Sequence, residues 1–559
     1  MTDEVAGGLE EPEELQPEQG TLRLAAAEDD GTRADWERAA ADVLRRAGRL
    51  SEDDRDDAVW AALTRTTYDG IEVTPLGTPD QATTSATPRP DRSGAWDVRV
   101  RAFAGSDVVS ELELGATSLW VLVEHVAPEG LPAFLDGVLL DLAPVVLEKP
   151  TYAHAEALVG MGRLHPHTNL GATDDADLVE FARLARGAGV RGIVVDGTGV
   201  HEQGASDAQE LGWLLARGAQ VLRTLEDAGI APEDAFGLVE LRVAVTDEQF
   251  LAIAKLRALR VLWARLARLC GVSHPATRVH AVTSRPMTSA YDVHVNLLRT
   301  TVGAFAAGVG GADAVTVVPF DEPTGEISGL GRRLARNISA LLVEESHVAA
   351  VTDPAGGAYA VERLTDDMCR AAWTELGRIE SDGEEAFLAR VRDVRTRREG
   401  DVAHRRRAIT GLSEFAHLAD PVPARRNTSY RYGAAFEAFR RDAPAAHAFL
   451  ATLGPVAQHT VRARFATNLL AAGGIAVDVA GATDGVDQLV AAYDGQAVVC
   501  LAGTDAAYIA WGREATAALH EAGARRVIVV GMATDWADDT FGPGGDAVAF
   551  LARTRECLT

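Results

Sequence analysis

Short apolar runs alternate with long amphipathic stretches from residue 96 to about residue 390, and this alternation constrains the fold of the 559-residue chain more than any other feature. The apolar runs have the length of strands, and the amphipathic stretches have the length of helices. Repeated β–α units over such a length are typical of a parallel (β/α)8 barrel. The predicted strands are 118–123, 144–148, 192–196, 237–245 and 314–319, and the predicted helices are 176–188, 208–228 and 247–269.

A second and shorter series of the same kind fills the C-terminal end of the chain, at residues 453–559. Its predicted strands are 475–480, 497–502 and 527–531, and its predicted helices are 461–472 and 505–522. This pattern indicates a flavodoxin-like α/β domain. A chain of 559 residues is too long for one ordinary core, so two domains are also what the length predicts.

The remaining segments are an N-terminal arm and a linker. We predict an arm over residues 1–80, because 34–50 has helical spacing whereas 1–33 is too acidic to bury enough apolar surface. Residues 391–452 are rich in Arg, Pro and Ala, and we interpret them as a linker with helices at 401–419 and 432–441.

Charge and composition exclude several classes of protein. With 54 basic and 82 acidic residues, the net charge of −28 argues against unaided nucleic-acid binding, since phosphate contacts need a basic face. The sequence contains neither a long uncharged apolar run nor a signal-like N-terminus, so we predict a cytoplasmic location without membrane insertion. The cysteines are widely spaced and lack a CxxC pattern, which predicts buried free thiols at Cys270, Cys369, Cys500 and Cys557.

Residues 285–362 carry a series of motifs in a fixed order. These are Arg299-Thr300-Thr301, Asp321-Glu322, Ala335-Arg336-Asn337, Glu344-Glu345-Ser346, and Asp353-Pro354 followed by Gly356-Gly357, Tyr359 and Glu362. In order and spacing they resemble the second half of the acyl-CoA barrel of adenosylcobalamin-dependent methylmalonyl-CoA mutases. The resemblance covers residues 96–559, and it implies that the second domain has the shape of the family's cobalamin domain.

The histidine on which the family's chemistry depends is missing from the barrel. In catalytic members it lies within Gly-Tyr-His-Met-Gln-Glu-Ala-Gly-Ala and hydrogen-bonds the thioester carbonyl. Here residues 197–205 read Gly-Thr-Gly-Val-His-Glu-Gln-Gly-Ala, so that Gly199 takes its place. A glycine has no side chain that could polarise a carbonyl or transfer a proton. His201 is two positions away, and we expect a structural loop histidine there rather than a substitute.

Other family contacts are also altered in the barrel. The segment Tyr-x-x-Arg-Pro-Trp keeps only its tryptophan, Trp96, and loses the tyrosine that drives homolysis of the adenosyl group. A stretch that contacts acyl-CoA is replaced by residues 164–169, in which His165 and His167 are predicted to lie in a polar loop rather than at a metal. Of two residues that contact the adenosine ribose, the glutamate is kept as Glu322, while the asparagine is replaced by Val318.

The cobalamin-ligand motif of the family is Asp-x-His-x-x-Gly, with a lysine shortly before it. The corresponding positions here are Ala457, His459 and Arg462, preceded by Leu453. Without the aspartate the histidine loses its orienting partner, and a long charged side chain stands where the glycine lets the corrin tail pass. We therefore expect His459 to be a surface or helix-capping residue.

Together these features resemble the small, non-catalytic subunit of a heterodimeric mutase that interconverts methylmalonyl-CoA and succinyl-CoA. The resemblance implies no catalytic, cofactor-binding or metal-binding residue in this chain. It places adenosylcobalamin in a large catalytic subunit, which would be the partner and which the arm of residues 1–80 would contact. Two alternatives stay open, namely an autonomous acyl-CoA mutase that uses His201 and a corrinoid-binding or delivery protein.

Overall fold

The computed structural model describes residues 31–81, 94–173, 177–425 and 428–558. The described residues form two compact units. One comprises the residues up to Thr66 together with 72–76, and the other comprises 67–71 and everything from Gly77 onwards. Most of the acidic tail predicted over residues 1–33 falls outside the described residues.

The first unit is a small helical body with its own core. The side chain of Thr32 accepts a hydrogen bond from the Asp35 N–H, and the Asp35 carboxylate accepts one from the Thr32 N–H, which fixes the start of the first helix. The helical spacing predicted over 34–50 is confirmed by the helix that begins at Arg33. Trp36 of this helix packs against Trp60, with ring centroids 5.0 Å apart. The elements of the first unit are α1 (Arg33–Arg46), α2 (Val59–Leu63), β1 (Arg65–Thr66) and β2 (Glu72–Val73).

Eight parallel strands close into a barrel, which confirms the predicted (β/α)8 architecture. Each strand pairs with its neighbour in the sequence, and the last strand pairs with the first. The barrel strands are β3 (Asp97–Ala102), β4 (Ser118–Leu122), β5 (Val145–Glu148), β6 (Asn169–Ala172), β7 (Arg191–Asp196), β8 (Val239–Val245), β9 (Val279–Thr283) and β10 (Ala314–Thr316).

The three predicted barrel helices are confirmed as α6 (Leu178–Ala188), α8 (Asp207–Asp227) and α10 (Gln249–Leu269). Within the described residues, no helix combines the length and apolar character that a membrane span requires. The helices of this region are α3 (Val108–Glu113), α4 (Leu131–Phe134), α5 (Tyr152–Gly160), α6 (Leu178–Ala188), α7 (Thr198–Gln203), α8 (Asp207–Asp227), α9 (Pro232–Leu238), α10 (Gln249–Leu269), α11 (Val295–Val309), α12 (Gly329–Ala340) and α13 (Tyr359–Ala403).

Helix α13 continues past residue 390 and is interrupted only at Gly383, whose φ of 83° breaks the helical path. The helix predicted over 401–419 is wrong, because α13 ends at Ala403 and the chain turns back. Arg405 and Phe415 both have φ of 57°, a left-handed conformation in which an α-helix cannot continue. The helix predicted over 432–441 is present as α14.

The C-terminal domain is a five-stranded parallel sheet in the order β12-β11-β13-β14-β15, as expected for a flavodoxin-like fold. Its first strand begins at Ala448, before residue 453. The elements are α14 (Ala434–Arg441), β11 (Ala448–Thr452), α15 (Val456–Ala472), β12 (Val477–Val479), α16 (Val486–Ala491), β13 (Val498–Ala502), α17 (Asp505–Ala507), α18 (Arg513–Glu521), β14 (Arg526–Val530), β15 (Asp539–Phe541) and α19 (Ala547–Glu556).

All four cysteines carry free thiols, as predicted, but their burial differs from the expectation. Only Cys500, on β13, is fully buried, and Cys270 is exposed at the end of α10. Burial raises the pKa of the Cys500 thiol to about 12, so this thiol stays protonated at neutral pH and acts as a small apolar residue.

A fully buried ion pair crosses the interior of the barrel. Arg99 of β3 donates from Nη1 to Glu240 Oε1 of β8 over 2.7 Å, and both side chains are 0% exposed. Burial alone would raise the pKa of Glu240, but Arg99 and Arg278 bring it down to about 2, so the carboxylate is charged. Removing one partner from such a pair costs about 3–5 kcal/mol, because the other charge is left uncompensated.

Glycines at the end of α11 allow this helix to pack closely against the residue that precedes β3. The stretch 308–311 has a superficial likeness to a phosphate-binding loop, but it ends a helix instead of opening one. A Cβ added to Gly308 would lie 2.4 Å from Cζ3 of Trp96, the buried residue that precedes β3. The glycine is therefore explained by packing against the tryptophan.

The substitution Gly308→Ala is expected to lower the free energy of unfolding by about 1–3 kcal/mol, the usual cost of overpacking a rigid core. Urea denaturation followed by circular dichroism measures it. Gly187→Ala in α6 is the matched control, because a Cβ there meets nothing within 4 Å and alanine favours the helix. Equal stability of the two variants would contradict the packing role assigned to Gly308.

Candidate functional site

The carboxyl ends of the barrel strands surround a cavity of about 270 Å³, which we call the barrel mouth. Ligands of parallel barrels bind at this end of the strands. The mouth is lined mainly by charged and hydroxyl-bearing side chains. Its wall includes Arg101, Trp120, Glu148, Asp196, Arg285 and Glu322.

Carboxylates of the mouth are paired with arginines of the same chain. Arg101 binds Glu148 through two hydrogen bonds of 2.8 Å, from Nε and Nη2. Arg285 donates from Nε to Glu322 and from Nη1 to Glu202, again over 2.8 Å. Glu322 is the residue that matches the family's ribose-binding glutamate, and here it is already engaged by Arg285. Bidentate and charge-assisted pairs of this kind are the strong hydrogen bonds of proteins.

The indole of Trp120 lies against two arginines at the base of the mouth. The guanidinium of Arg242 is 4.2 Å from its ring centroid, and that of Arg101 is 5.1 Å away. Arg242 also donates to Asp196 over 2.9 Å. Cation–π contacts and ion pairs thus fix the positions of these charged groups.

Gly199 lies on the short helix α7 beside the mouth. A Cβ built on it would meet no other atom within 4 Å, so packing leaves room for a larger side chain. Its helix neighbours Thr198 and Glu202 both line the mouth. The structure therefore puts the position expected for the carbonyl-polarising histidine next to the mouth, and this position carries no functional group.

His201 lies on α7 as well, not in the loop that the sequence predicts. Its ring is 3% exposed, with Nε2 2.7 Å from Ser284 Oγ and Nδ1 3.3 Å from Glu210 Oε2. Glu210 in turn accepts a 2.6 Å hydrogen bond from Lys255. These contacts hold the imidazole in the protein interior, and it is not among the residues that line the mouth.

His165 and His167 lie at the amino end of β6, which is the opposite end of the barrel from the mouth. Their ring centroids are 4.8 Å apart, and His165 Nδ1 accepts a hydrogen bond from the His167 N–H. Burial, reinforced by the charge of Arg278, lowers the pKa of His167 to about 4. Among the described residues no group of three or more His, Cys, Asp and Glu side chains could hold a metal ion.

Several of the motif residues stabilise the framework instead of lining the mouth. Asp321 accepts a hydrogen bond from the Ser328 N–H before α12, and Arg257 donates to Glu362 over 2.6 Å. Arg299 donates to the Thr410 carbonyl over 2.7 Å. These contacts give the motif residues a structural role.

In the C-terminal domain, His459 lies in the first turn of α15. Its ring is 6% exposed, and Nδ1 lies 3.0 Å from the carbonyl oxygen of Gly454, to which it donates. A groove of about 770 Å³ runs beside α15 and is lined by His459, Leu450, Phe465 and other residues. The histidine is thus buried at the wall of a groove, whereas the sequence predicts a surface or helix-capping position.

Arg462 extends from α15 across the carboxyl ends of β13 and β14. It donates to the Gly503 carbonyl over 2.7 Å and to Asp505 over 2.5 Å. A Cβ added to Gly531, which follows β14, would lie only 2.6 Å from Arg462 Nε. The guanidinium therefore fills the space between the two strand ends.

Tyr508 fills the same edge of the sheet, and no sequence motif indicated it. Its hydroxyl lies 3.0 Å from the carbonyls of Leu501 and Val530 and accepts a hydrogen bond from the Gly503 N–H. Arg462 lies 5.0 Å from its ring centroid. Burial raises the pKa of the Tyr508 hydroxyl, which keeps it protonated as a donor. The two side chains form what we call the Arg462–Tyr508 plug.

Comparisons with known proteins agree with this geometry. The family model described as methylmalonyl-CoA mutase matches residues 174–485. The methylmalonyl-CoA mutase small subunit of Streptomyces virginiae is 39% identical, with 96% of this chain and 98% of that protein covered. A probable small subunit from Mycobacterium tuberculosis is 37% identical over 89% of this chain and 92% of its own length. The small subunit of Propionibacterium freudenreichii subsp. shermanii is 32% identical, over 93% and 92%. The chain belongs to the methylmalonyl-CoA mutase family, and over most of its length it is similar to the small subunits of that enzyme.

Proposed function

We propose that this chain is the non-catalytic small subunit of a heterodimeric, adenosylcobalamin-dependent methylmalonyl-CoA mutase, and that it stabilises a large catalytic subunit. The observation that carries this conclusion is Gly199, which lies beside the barrel mouth and has no side chain to offer a thioester carbonyl. In this family a hydrogen-bond donor at that position is part of the chemistry. Such a donor commonly contributes a factor of about 100–1000 to turnover.

The ion pairs of the mouth support the same conclusion. A ribose in the mouth would have to compete with Arg285 for Glu322, and an anionic ligand would have to compete with Glu148 for Arg101. Each of these pairs is made by groups of this chain that the fold already holds in place. The mouth is therefore suited to stabilising the barrel more than to exchanging ligands.

Adenosylcobalamin fits poorly at the second domain. When bound, this cofactor supplies the radical chemistry of the mutase reaction. The aspartate that would orient His459 is Ala457, and the Arg462–Tyr508 plug fills the carboxyl edge where a ligand of a flavodoxin-like domain binds. We infer that the cofactor is held by the large subunit.

One observation favours the second candidate, a corrinoid-binding protein. His459 borders the groove beside α15, and its Nδ1 donates to a backbone carbonyl, which is one of the arrangements that orient a metal-bound histidine. For the third candidate, an autonomous mutase that uses His201, the buried contacts of that imidazole with Ser284 and Glu210 are unfavourable.

The purified chain is expected to show no turnover with methylmalonyl-CoA and adenosylcobalamin, because Gly199 cannot polarise the carbonyl. The heterodimer assembled with its large subunit should turn over at rates typical of enzymes, roughly 1–1000 per second. In that heterodimer, Glu322→Gln in the small chain should leave kcat within about twofold, since a site without turnover contributes nothing to the measured rate. Turnover of about one per second or faster by the pure chain would overturn the proposal.

Deleting the first unit tests the predicted role of the arm. A truncated chain that begins at Thr67 keeps the segment in which Tyr68 donates to Asp401 over 2.9 Å, so its main body should stay folded. We expect it to lose the large subunit during co-purification, because N-terminal arms of the resembled family embrace the other subunit. Permanent interfaces of this type often bury more than about 2,000 Å². Circular dichroism of the truncated chain is the control. A heterodimer that forms with unchanged yield and activity would contradict a role of the arm in the interface.

A further inference from the structure

The barrel is incompletely paired at the seam between its first and last strands. β3 and β10 pair at only two positions, Asp97 with Ala314 and Val98 with Val315. On its other side β3 pairs with β4 as far as Ala102. The backbone pairing of the seam therefore ends midway along β3, and α12 covers the gap on the outside.

An apolar crevice occupies this gap. Its enclosed part has a volume of about 60 Å³, which is room for about four waters or for a short apolar group of that size. Apolar side chains from both strands, from the segment between β10 and α12, and from α12 itself form the walls. They are Val98, Val100, Val315, Val317, Ile327 and Ala335.

Two buried polar groups line the crevice without a partner among the described residues. The hydroxyl of Ser339 is 1% exposed, and Nε of Arg336 is equally enclosed. Arg336 uses Nη1 to pair with Glu111, which leaves Nε unsatisfied. An unpaired buried donor is destabilising, so an acceptor in the crevice would be bound favourably by both groups.

A wider cleft of about 350 Å³ adjoins the crevice and shares Phe103, Glu111, Arg332 and Arg336 with it. It adds Arg333, which is exposed, so that three arginines of α12 face one cleft. Asp107 and Glu111 supply two opposing charges. Three cations against two anions, at the positive end of a helix, make this cleft cationic on a chain whose net charge is −28.

We propose that the crevice and the cleft together bind an amphipathic anion. A short apolar tail lies in the seam between β3 and β10, an acceptor oxygen meets Ser339 and Arg336, and a carboxylate or a phosphate ester binds Arg332 and Arg333. This site lies under α12 and borders the barrel mouth, with which the crevice shares Arg101, Arg285 and Glu322. It goes beyond the proposed function because it requires neither mutase turnover nor cobalamin.

Isothermal titration calorimetry of the full-length chain with butanoate and with butyl phosphate tests the site and separates its two anionic sources. At least one of the two is expected to bind, while the neutral butan-1-ol binds at least tenfold more weakly. The double variant Arg332→Gln, Arg333→Gln should weaken the anion about tenfold or more. Arg183→Gln on α6 is the control, because it removes an exposed arginine from another barrel helix.

Ser339→Val tests the tail subsite separately, since it fills the crevice and removes the unpaired hydroxyl. We expect it to weaken each anion that binds at least tenfold while the melting temperature is maintained or rises. Three results would each overturn the proposal: no binding of either anion at millimolar concentration, butan-1-ol binding as tightly as the anions, or equal affinity in the wild-type chain and both sets of variants. The heterodimer need not form or be active for this test, so failure here is distinguishable from failure of the proposed function.

Discussion

The buried pair of Arg99 and Glu240 is the interaction on which the barrel depends. It joins β3 to β8 across the interior, and Arg278 adds a second guanidinium 3.3 Å from the same carboxylate. Arg278 also pairs with Asp97, so the three charged groups belong to one buried network. Loss of Arg99 or Glu240 would leave a buried charge poorly compensated and destabilise the barrel by about 3–5 kcal/mol. The pair also occupies interior volume, which means that the barrel is closed by its own side chains.

Side chains of this chain also pair with one another, or with the backbone, at the two places where a catalytic relative would bind a ligand. In the mouth, Arg285 holds Glu322, the residue that the motif comparison assigns to ribose binding. In the second domain, Arg462 and Tyr508 satisfy backbone carbonyls at the carboxyl edge of the sheet. Arginine is suited to this because its planar group makes several directed hydrogen bonds and stays charged when buried. We infer that self-pairing has replaced ligand binding at both places while the fold is retained.

Three barrel strands, β3, β6 and β9, were not predicted, because Arg99, Asn169 and His280 interrupt their short apolar runs. These polar groups are paired with residues of other strands, which a local pattern does not reveal. β8 was predicted although it carries Glu240 and Arg242, since its apolar run is longer. β11 was missed although it is mostly apolar, because it follows directly on the predicted helix of the linker. The prediction of a helix over 401–419 failed for a different reason. The backbone at Arg405 is left-handed, and the residue type does not indicate this conformation.

At the candidate site, motif spacing was enough to locate Gly199, His459 and Arg462, because each stands at a fixed distance from a recognisable neighbour. The partners of these residues could not be predicted. Tyr508 reaches Arg462 through the fold alone, and no pattern links the two positions. Likewise, the crevice under α12 follows from the pairing of β3 with β10, which are more than two hundred residues apart in sequence.

The central claim is that this chain keeps the mutase fold without holding the cofactor, and the cobalamin content of the purified heterodimer tests it most directly. Absorbance of the bound cobalamin, divided by the protein concentration, should give one cobalamin per heterodimer, and His459→Ala in the small chain should leave that value unchanged. His447→Ala, at an exposed histidine of the same domain, is the control. Two cobalamins per heterodimer, falling to one in His459→Ala but not in His447→Ala, would show that the second domain binds the cofactor and would contradict the account.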